Sequence, residues 1–550
     1  MLKTLNSRNP SRLLPWTIVI IAFVLLWAAI TLVYGLRTTG LAEEWNLFYA
    51  FDTGESWQNL LPLNRLAQYV PFYLGYLLTP DSFVGLNLVA VLTLFAKMCL
   101  LYAVFKSLLR PHHSLAFIAS VLVMLYPADL GTFYLRFLAY HWVICCYLLA
   151  FYMLLRWLQH PRLIYLLIMV LAQLQCLLSY EVAWPLVFLT PVALLWLRPR
   201  IKRPLLQTSI IWLVIPVAVV LFMITIWFVG RATYQSQILA SSNPDIGASV
   251  VTIIIHIGRL YLQHFGLAWY LALSLPLSLQ ARLLSLLLGI FVGVVSYRYQ
   301  PDSDAPLQSR RWLLVGLAIM FLGFLPFLPS DHHRLISERV FLLTSVGAAL
   351  TLTIFLWSIV KNSKHRRIAF TIGITFLTVV ASFWTFQRIE RTQEYSDIEY
   401  NILSTIATTM PRWTSDQVLV VLIDRTTSLA NGETLFVGNH YSGSFNAALR
   451  YIYHSSAVVG VLCFPETLTW RVERETCTFG EDAFAFRGLD NQTMTYPYSQ
   501  VMVFEYTGET TLLSPQALQG EGVTNADYNP NQLVDSAAAL PHRAVLLGYQ

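Results

Sequence analysis

LLPWTIVIIAFVLLWAAITLVYGL, residues 13–36, runs directly into RTTGLAEEWNLFYAFDTGESWQNLLPLNR, residues 37–65, and the reading of this junction decides the fold class. The first stretch is apolar, uncharged and long enough to cross a bilayer. The second sets Glu43, Glu44, Asp52 and Glu55 among Trp45, Phe48, Tyr49, Phe51 and Trp57. Aromatic rings settle at headgroup level while carboxylates face water, so the junction reads as a membrane span and its exit loop. The apolar run is too long and too aromatic for the hydrophobic part of a cleaved signal peptide, and a retained first span is expected. A carboxylate in the loop can act as a general base, though acids and interfacial aromatics are common wherever a chain leaves a membrane.

The remainder extends that reading. With 56% hydrophobic and 12% charged residues, and apolar runs near 20 residues recurring along the chain, a polytopic α-helical membrane protein is expected. The net charge of +6 is not a nucleic-acid signature, because the basic residues sit in short loops between apolar runs, where the positive-inside bias places them. Lys3, Arg8 and Arg12 before the first span put the N-terminus in the cytoplasm and the Glu43 loop outside. The later basic clusters (Lys106 to His113; Arg156 and Arg162; Arg198 to Arg203; Arg298 to Arg311; Lys361 to Arg367) then fall inside if about eleven helices cross. That count requires the run Val250–Leu275, which carries His256, Arg259 and His264, to be an interfacial or re-entrant helix. Lys97, inside the second span, is expected to snorkel toward an interface.

The last long apolar run ends near Phe386, so residues 1–388 form the membrane domain, with a first outer loop at 37–66, and residues 389–550 form a soluble extracytoplasmic domain. A helical pattern over Ile389–Met410, a strand-like QVLVVLID, a helical FNAALRYIYH and a strand-like AVVGVLCF give that domain an α/β order. Four of the six cysteines fall in apolar runs. Cys463 and Cys477 face an oxidising space in this topology and either close a loop as a disulfide or remain a reduced pair. Asn491, Gln492 and Thr493 spell a glycosylation sequon.

This topology puts four polar clusters on one side: Glu43 with Glu44; Asp129 with Arg136; Glu181; and Asp331, His332, His333, Arg334, Glu338 and Arg339. A charge at mid-membrane costs ~2.5 to 3.5 kcal/mol, so such groups flank spans or line a cavity, and interfaces alone explain any single cluster. The adjacent His332 and His333 lack zinc-site spacing. A divalent cation, Mg or Mn, held by first-loop carboxylates stays open. The P-loop, nucleophile-elbow and dinucleotide-binding glycine motifs are missing, which removes support for nucleotide and serine hydrolysis.

Four stretches resemble the GT-C membrane glycosyltransferases that use lipid-linked sugars, especially their protein O-mannosyltransferase-like branch. EEW after the first span is similar to the family's acidic first-loop motif. PLNRLAQYVPFYLGYLL with GLNLVAVLTLFAKMCLLY, LLSYEVAWPLVFLTPVALLW and SERVFLLTSVGAAL resemble later family segments, in the same order over roughly the first 390 residues. The chain departs from the family at Glu43 and Glu44, where Asp is usual, at Leu63 and Asn64, at Tyr180 and at Val340.

The resemblance implies a polyprenyl-phosphate sugar donor in the membrane lipid and a glycan, lipid or protein acceptor from the aqueous side. Glu44 or Glu43 would be the base and Arg334 and Arg339, with His333 beside them, would meet the lipid phosphate. Asp129 and Glu181 would orient acceptor or cation, and Arg259 would be a second phosphate anchor. A bacterial cytoplasmic membrane is the expected location. The rivals are a transporter or flippase of lipid-linked saccharide and an inactive scaffold of the same fold.

Overall fold

The structure, a computed structural model, describes residues 16–34, 38, 40, 44–54, 65, 67–80, 82–129, 135–197, 202–228, 246–274, 277–299, 307–328, 338–360, 363–410, 418–423, 442–463, 476–480, 483–487, 492–506 and 511–513. The chain is mostly helical. Its apolar runs become α1 (Trp16–Tyr34), α2 (Glu44–Thr53), α3 (Val70–Leu78), α4 (Val84–Leu108), α5 (His113–Leu125) and α6 (Leu138–Gln159). There follow α7 (Leu163–Ser179), α8 (Trp184–Leu197), α9 (Lys202–Phe228), α10 (Ile246–Leu262), α11 (Ala268–Ser274), α12 (Leu279–Arg298), α13 (Ser309–Phe324), α14 (Glu338–Val360) and α15 (Arg366–Thr409). Hydrocarbon offers no hydrogen-bond partners, so an apolar run of this length satisfies its backbone by coiling on itself.

Among the described residues eight helical stretches are long and apolar enough to cross a membrane, and the bent pair α7 and α8, which meet at 116°, passes that test together. Val250–Ser274 is one of the eight by length and composition, and its polar groups are satisfied locally. A π turn over Gln263–Leu267 joins α10 to α11, and buried His264 bonds Leu260 O (2.8 Å) and the Thr344 hydroxyl (2.9 Å) through its two ring nitrogens. Its carbonyl accepts from the Tyr126 hydroxyl and from Trp269 Nε1, each at 2.9 Å.

Small residues set the closest helix crossings. A Cβ on Gly75 would lie 2.7 Å from Leu86 Cα, which seats α3 against the start of α4. The intervening turn is fixed by Thr79, whose hydroxyl accepts from Gly85 N (2.7 Å) and donates to Ser82 O (2.8 Å). Gly289 faces Val379 and Gly293 faces Thr375, so α12 runs antiparallel along the first half of α15, and the Ser278 hydroxyl reaches Glu390.

α15 passes through the 388/389 boundary as one 44-residue helix. Beyond it, β1 (Val418–Ile423) and β2 (Val459–Cys463) fall within the strand patterns of the sequence, and α16 (Ser442–Tyr453) covers most of the helical pattern but begins ahead of it. β6 (Val501–Tyr506) and β7 (Thr511–Leu513) complete a sheet of order β2-β1-β6-β7, with β1 parallel to β2 and β6, and β7 antiparallel to β6. β3 (Thr476–Phe479), β4 (Ala483–Arg487) and β5 (Thr493–Pro497) form an antiparallel sheet of their own. Cys463 at the end of β2 and Cys477 in β3 are joined by a disulfide. Chain entropy assigns about 3 kcal/mol to a bridge closing a loop of this length. Cys463→Ser is expected to lower the urea midpoint of this domain accordingly, and an unchanged midpoint would show that the bridge contributes nothing.

One buried core ties this domain to the segment that follows α1. Trp45, Phe48 and Phe51 of α2 pack with Phe83 and Leu86 of the α4 entry, with Ile402 and Ile406 of α15, and with Phe445 and Tyr451 of α16. The bundle therefore has a sheet-bearing end, and α2, the α3–α4 turn and the start of α6 belong to it.

Candidate functional site

Two polar groups lie at the sheet-bearing end and a third reaches down from it into the bundle. The first is built on α2. Glu44 occupies its first turn and is 2% exposed, and Trp45 Nε1 donates to buried Glu399 Oε1 on α15 at 3.2 Å. Asn87, one turn into α4, holds the loop before α2 by donating to Thr38 O (2.9 Å) and meeting the Thr38 hydroxyl. At the far end of α2, Asp52 pairs with His454 Nδ1 at 2.8 Å and accepts from the Tyr76 hydroxyl at 3.5 Å. The Tyr451 hydroxyl donates to Pro80 O at 2.7 Å. α2 is thus clamped between the membrane helices and α16.

The second group is a bidentate ion pair. Arg65 Nε and Nη2 donate to Glu181 Oε1 and Oε2 at 3.2 and 3.0 Å, with the side chains 12% and 20% exposed. The guanidinium lies 3.9 Å above the Tyr180 ring, and that ring is 4.3 Å from Tyr140. Burial alone lowers the guanidinium pKa, but Tyr180 and Glu181 more than offset it and hold Arg65 above its ordinary value. The turn after Arg65 is fixed by Ala67 N donating to Leu178 O and Ala67 O accepting from Gln175 Nε2. The planar fork explains why an arginine here is not equivalent to a lysine.

The third group lies deeper. Lys97 is 0% exposed, and its Nζ is 3.2 Å from His141 Nδ1. Asp129, 5% exposed just beyond α5, is within electrostatic reach of that ammonium. This corrects the expectation that Lys97 snorkels. It lies thirteen residues from the start of α4 and eleven from its end, roughly 20 and 17 Å at 1.5 Å per residue, too far for its stem to reach water. A lysine held there needs a counter-charge.

The segment Leu135–His141 connects the three. Its Leu135, Leu138 and Ala139 belong to the core around α2, its Phe137 and Tyr140 rings are 5.9 Å apart and lead to Tyr180, and His141 holds Lys97. The start of α14, which follows the fourth expected cluster in sequence, joins by another route. Phe341 and Thr344, in the first two turns of α14, meet His264, the His264 carbonyl takes the Tyr126 hydroxyl, and Tyr126 O accepts from Asp129 N at 2.9 Å. Arg339 falls in that first turn of α14.

Of the residues expected at a site, Glu44, Asp129 and Glu181 are therefore at one end of the bundle. Arg259 is exposed on α10, just over one turn before His264. Glu43, His333 and Arg334 lie outside the described residues. Arg65, Lys97 as a buried cation, Tyr140, His141 and Glu399 were not singled out as site residues from the sequence. The available signal was a Tyr-His pair opening an apolar run and an arginine closing the first loop. Among the described residues no group of three or more His, Cys, Asp or Glu is arranged to hold a metal ion. No protein-family model matches the chain, and no curated protein matches it.

Proposed function

We propose that the chain is an integral membrane glycosyltransferase of GT-C architecture with about eleven crossings. Its N-terminus is cytoplasmic and its sheets stand outside a bacterial cytoplasmic membrane. It moves a sugar from a polyprenyl-phosphate donor to a hydroxyl of a glycan, lipid or protein. The observation that carries the reading is the gathering of Glu44, the Arg65–Glu181 pair, Asp129 and the first turn of α14 at one end of the bundle. Helix α10–α11 counts as re-entrant in this topology, since its far end packs on Val380 and Trp384 and leads to Ser278 beside Glu390.

The chemistry follows the group types. Glu43 or Glu44 removes the acceptor O–H proton, the freed oxygen bonds to the sugar's anomeric carbon, and the bond from that carbon to the phosphate oxygen breaks. The electron pair leaves with the polyprenyl phosphate, where Arg334 and Arg339 neutralise it. Asp129 and Glu181 orient the acceptor, and Arg259 anchors the donor from the lipid side.

A second reading, an inactive scaffold on this architecture, is favoured by one observation: Glu44 is 2% exposed beneath a helix pair held shut by Asp52–His454 and Tyr451–Pro80. Radiolabelled polyprenyl-phosphate sugar, offered to the detergent-solubilised protein with hydroxyl acceptors, separates the two. The double variant Glu43→Gln/Glu44→Gln is expected to lose about 10²- to 10⁴-fold in transfer, the usual worth of a general base, with unchanged thermal unfolding. Transfer that survives both substitutions would remove the first loop from the chemistry. A wild-type protein that transfers nothing from any donor tried would leave the scaffold.

A further inference from the structure

A cavity of about 160 Å³ lies within the bundle, walled by α4, α6, α8, α13 and α14. Its floor is buried hydrocarbon from Ile144, Leu148, Leu343 and Leu350. The two hydroxyl-bearing side chains in its wall satisfy each other: Tyr147 and Thr190 oxygens are 2.9 Å apart, and Thr190 also donates to Leu186 O at 2.6 Å. A cavity of this size with an apolar lining stays dry and accepts an apolar guest. Water has nothing to bond to, and neither has a sugar or a phosphate.

The mouth opens sideways. Leu189 and Trp196 of α8 line the cavity and are each 42% exposed, and Ala318 of α13 lines it from the facing side and is exposed too. The mouth is continuous with the outer apolar face that carries exposed Val192 and Leu314. On a membrane-spanning bundle that face meets lipid tails.

The far limit of the cavity identifies the lipid. Leu108 in the last turn of α4, Leu197 at the end of α8 and Trp312 in the first turn of α13 line it at the end of the bundle opposite the sheets. Arg110 follows Leu108 by two residues, and Arg310 and Arg311 immediately precede Trp312; Arg110 and Arg310 are exposed. An apolar slot between helices with arginines at its leaflet-facing end suits the tail and the phosphate of one anionic lipid.

We propose that this slot takes in a segment of one acyl chain of an anionic phospholipid from the leaflet opposite the sheets, with Arg110, Arg310 and Arg311 at its headgroup. The site is separate from any donor site at the sheet-bearing end and does not depend on the sugar-transfer reading. The test uses the full chain in detergent, exchanged into dioleoyl-phosphatidylglycerol or dioleoyl-phosphatidylcholine and observed by native mass spectrometry. The wild type is expected to retain one phosphatidylglycerol at least tenfold more persistently than phosphatidylcholine. Ala193→Trp, which fills the slot, is expected to abolish retention of both. The surface variant Arg110→Gln/Arg310→Gln/Arg311→Gln, which leaves the slot intact, is expected to erase the preference, so the assignment stays testable if the tryptophan variant does not fold. Equal retention of the two lipids by the wild type, or undiminished phosphatidylglycerol on a folded Ala193→Trp, would overturn it. Displacement of phosphatidylglycerol by stoichiometric undecaprenyl phosphate would overturn it as well, by making the slot a carrier-lipid site.

Discussion

Lys97→Met is expected to destabilise the detergent-solubilised protein by about 3–5 kcal/mol, and adding Asp129→Asn is expected to recover most of that loss. Lys97 is fully buried in the middle of α4, bonded to His141 and within reach of the Asp129 charge. Removing the lysine takes away one charge that acts on the Asp129 carboxylate, itself 5% exposed, and losing one member is the costly half of breaking a buried pair. Removing both charges takes away the attraction and the desolvation penalty together. The measurement is a double-mutant cycle on thermal unfolding in one detergent, with Lys97→Met, Asp129→Asn and the double variant. Additive losses would mean that the two charges do not act on each other, and would break the proposed connection between the deep group and Asp129.

The second large effect lies at the crossing of α13 and α14. A Cβ on Gly347 would land against Gly316 O and 2.7 Å from Met320 N, and a Cβ on Gly316 would lie 2.8 Å from Gly347 O. Both neighbours are backbone, so neither helix can yield by turning a side chain. Gly347→Val is expected to force the pair apart, costing more than the ~1–3 kcal/mol typical of overpacking, and to leave little folded protein on size-exclusion chromatography. Gly258→Ala is the matched control. A Cβ there meets nothing within 4 Å, and the exchange is expected to be neutral or stabilising by up to about 1 kcal/mol. Equal yields from the two variants would show that close approach does not hold this crossing.

The helices were legible in the sequence because lipid permits few other solutions for an apolar run, and LLPWTIVIIAFVLLWAAITLVYGL could become little else. The β1–α16–β2 order was legible too, from QVLVVLID, FNAALRYIYH and AVVGVLCF. What stayed hidden was partnership. His264 is polar in one dimension, yet both its ring nitrogens find partners within the helices, one of them contributed by α14 eighty residues away. Lys97 read as a cation able to reach water until its depth along α4 was set against the length of its stem. The Arg65–Glu181 pair spans 116 residues, and the link from Trp45 to Glu399 spans 354. No local pattern encodes contacts of that reach. The acids themselves stood out as residues at span ends, while the aromatic route through Phe137, Tyr140 and Tyr180 that joins two of the groups did not.

α15 is about 66 Å long at 1.5 Å per residue, more than twice the roughly 30 Å hydrocarbon thickness of a bilayer. Its first half is locked against α12, and its second half carries Glu399, Ile402 and Ile406 into the core around α2. The sheet-bearing domain therefore packs on a stiff mast that continues out of the bundle as one helix. A large partner that pulls on the sheets would tilt the mast as a lever, and the displacement would arrive at the lipid-embedded staves without being absorbed in between.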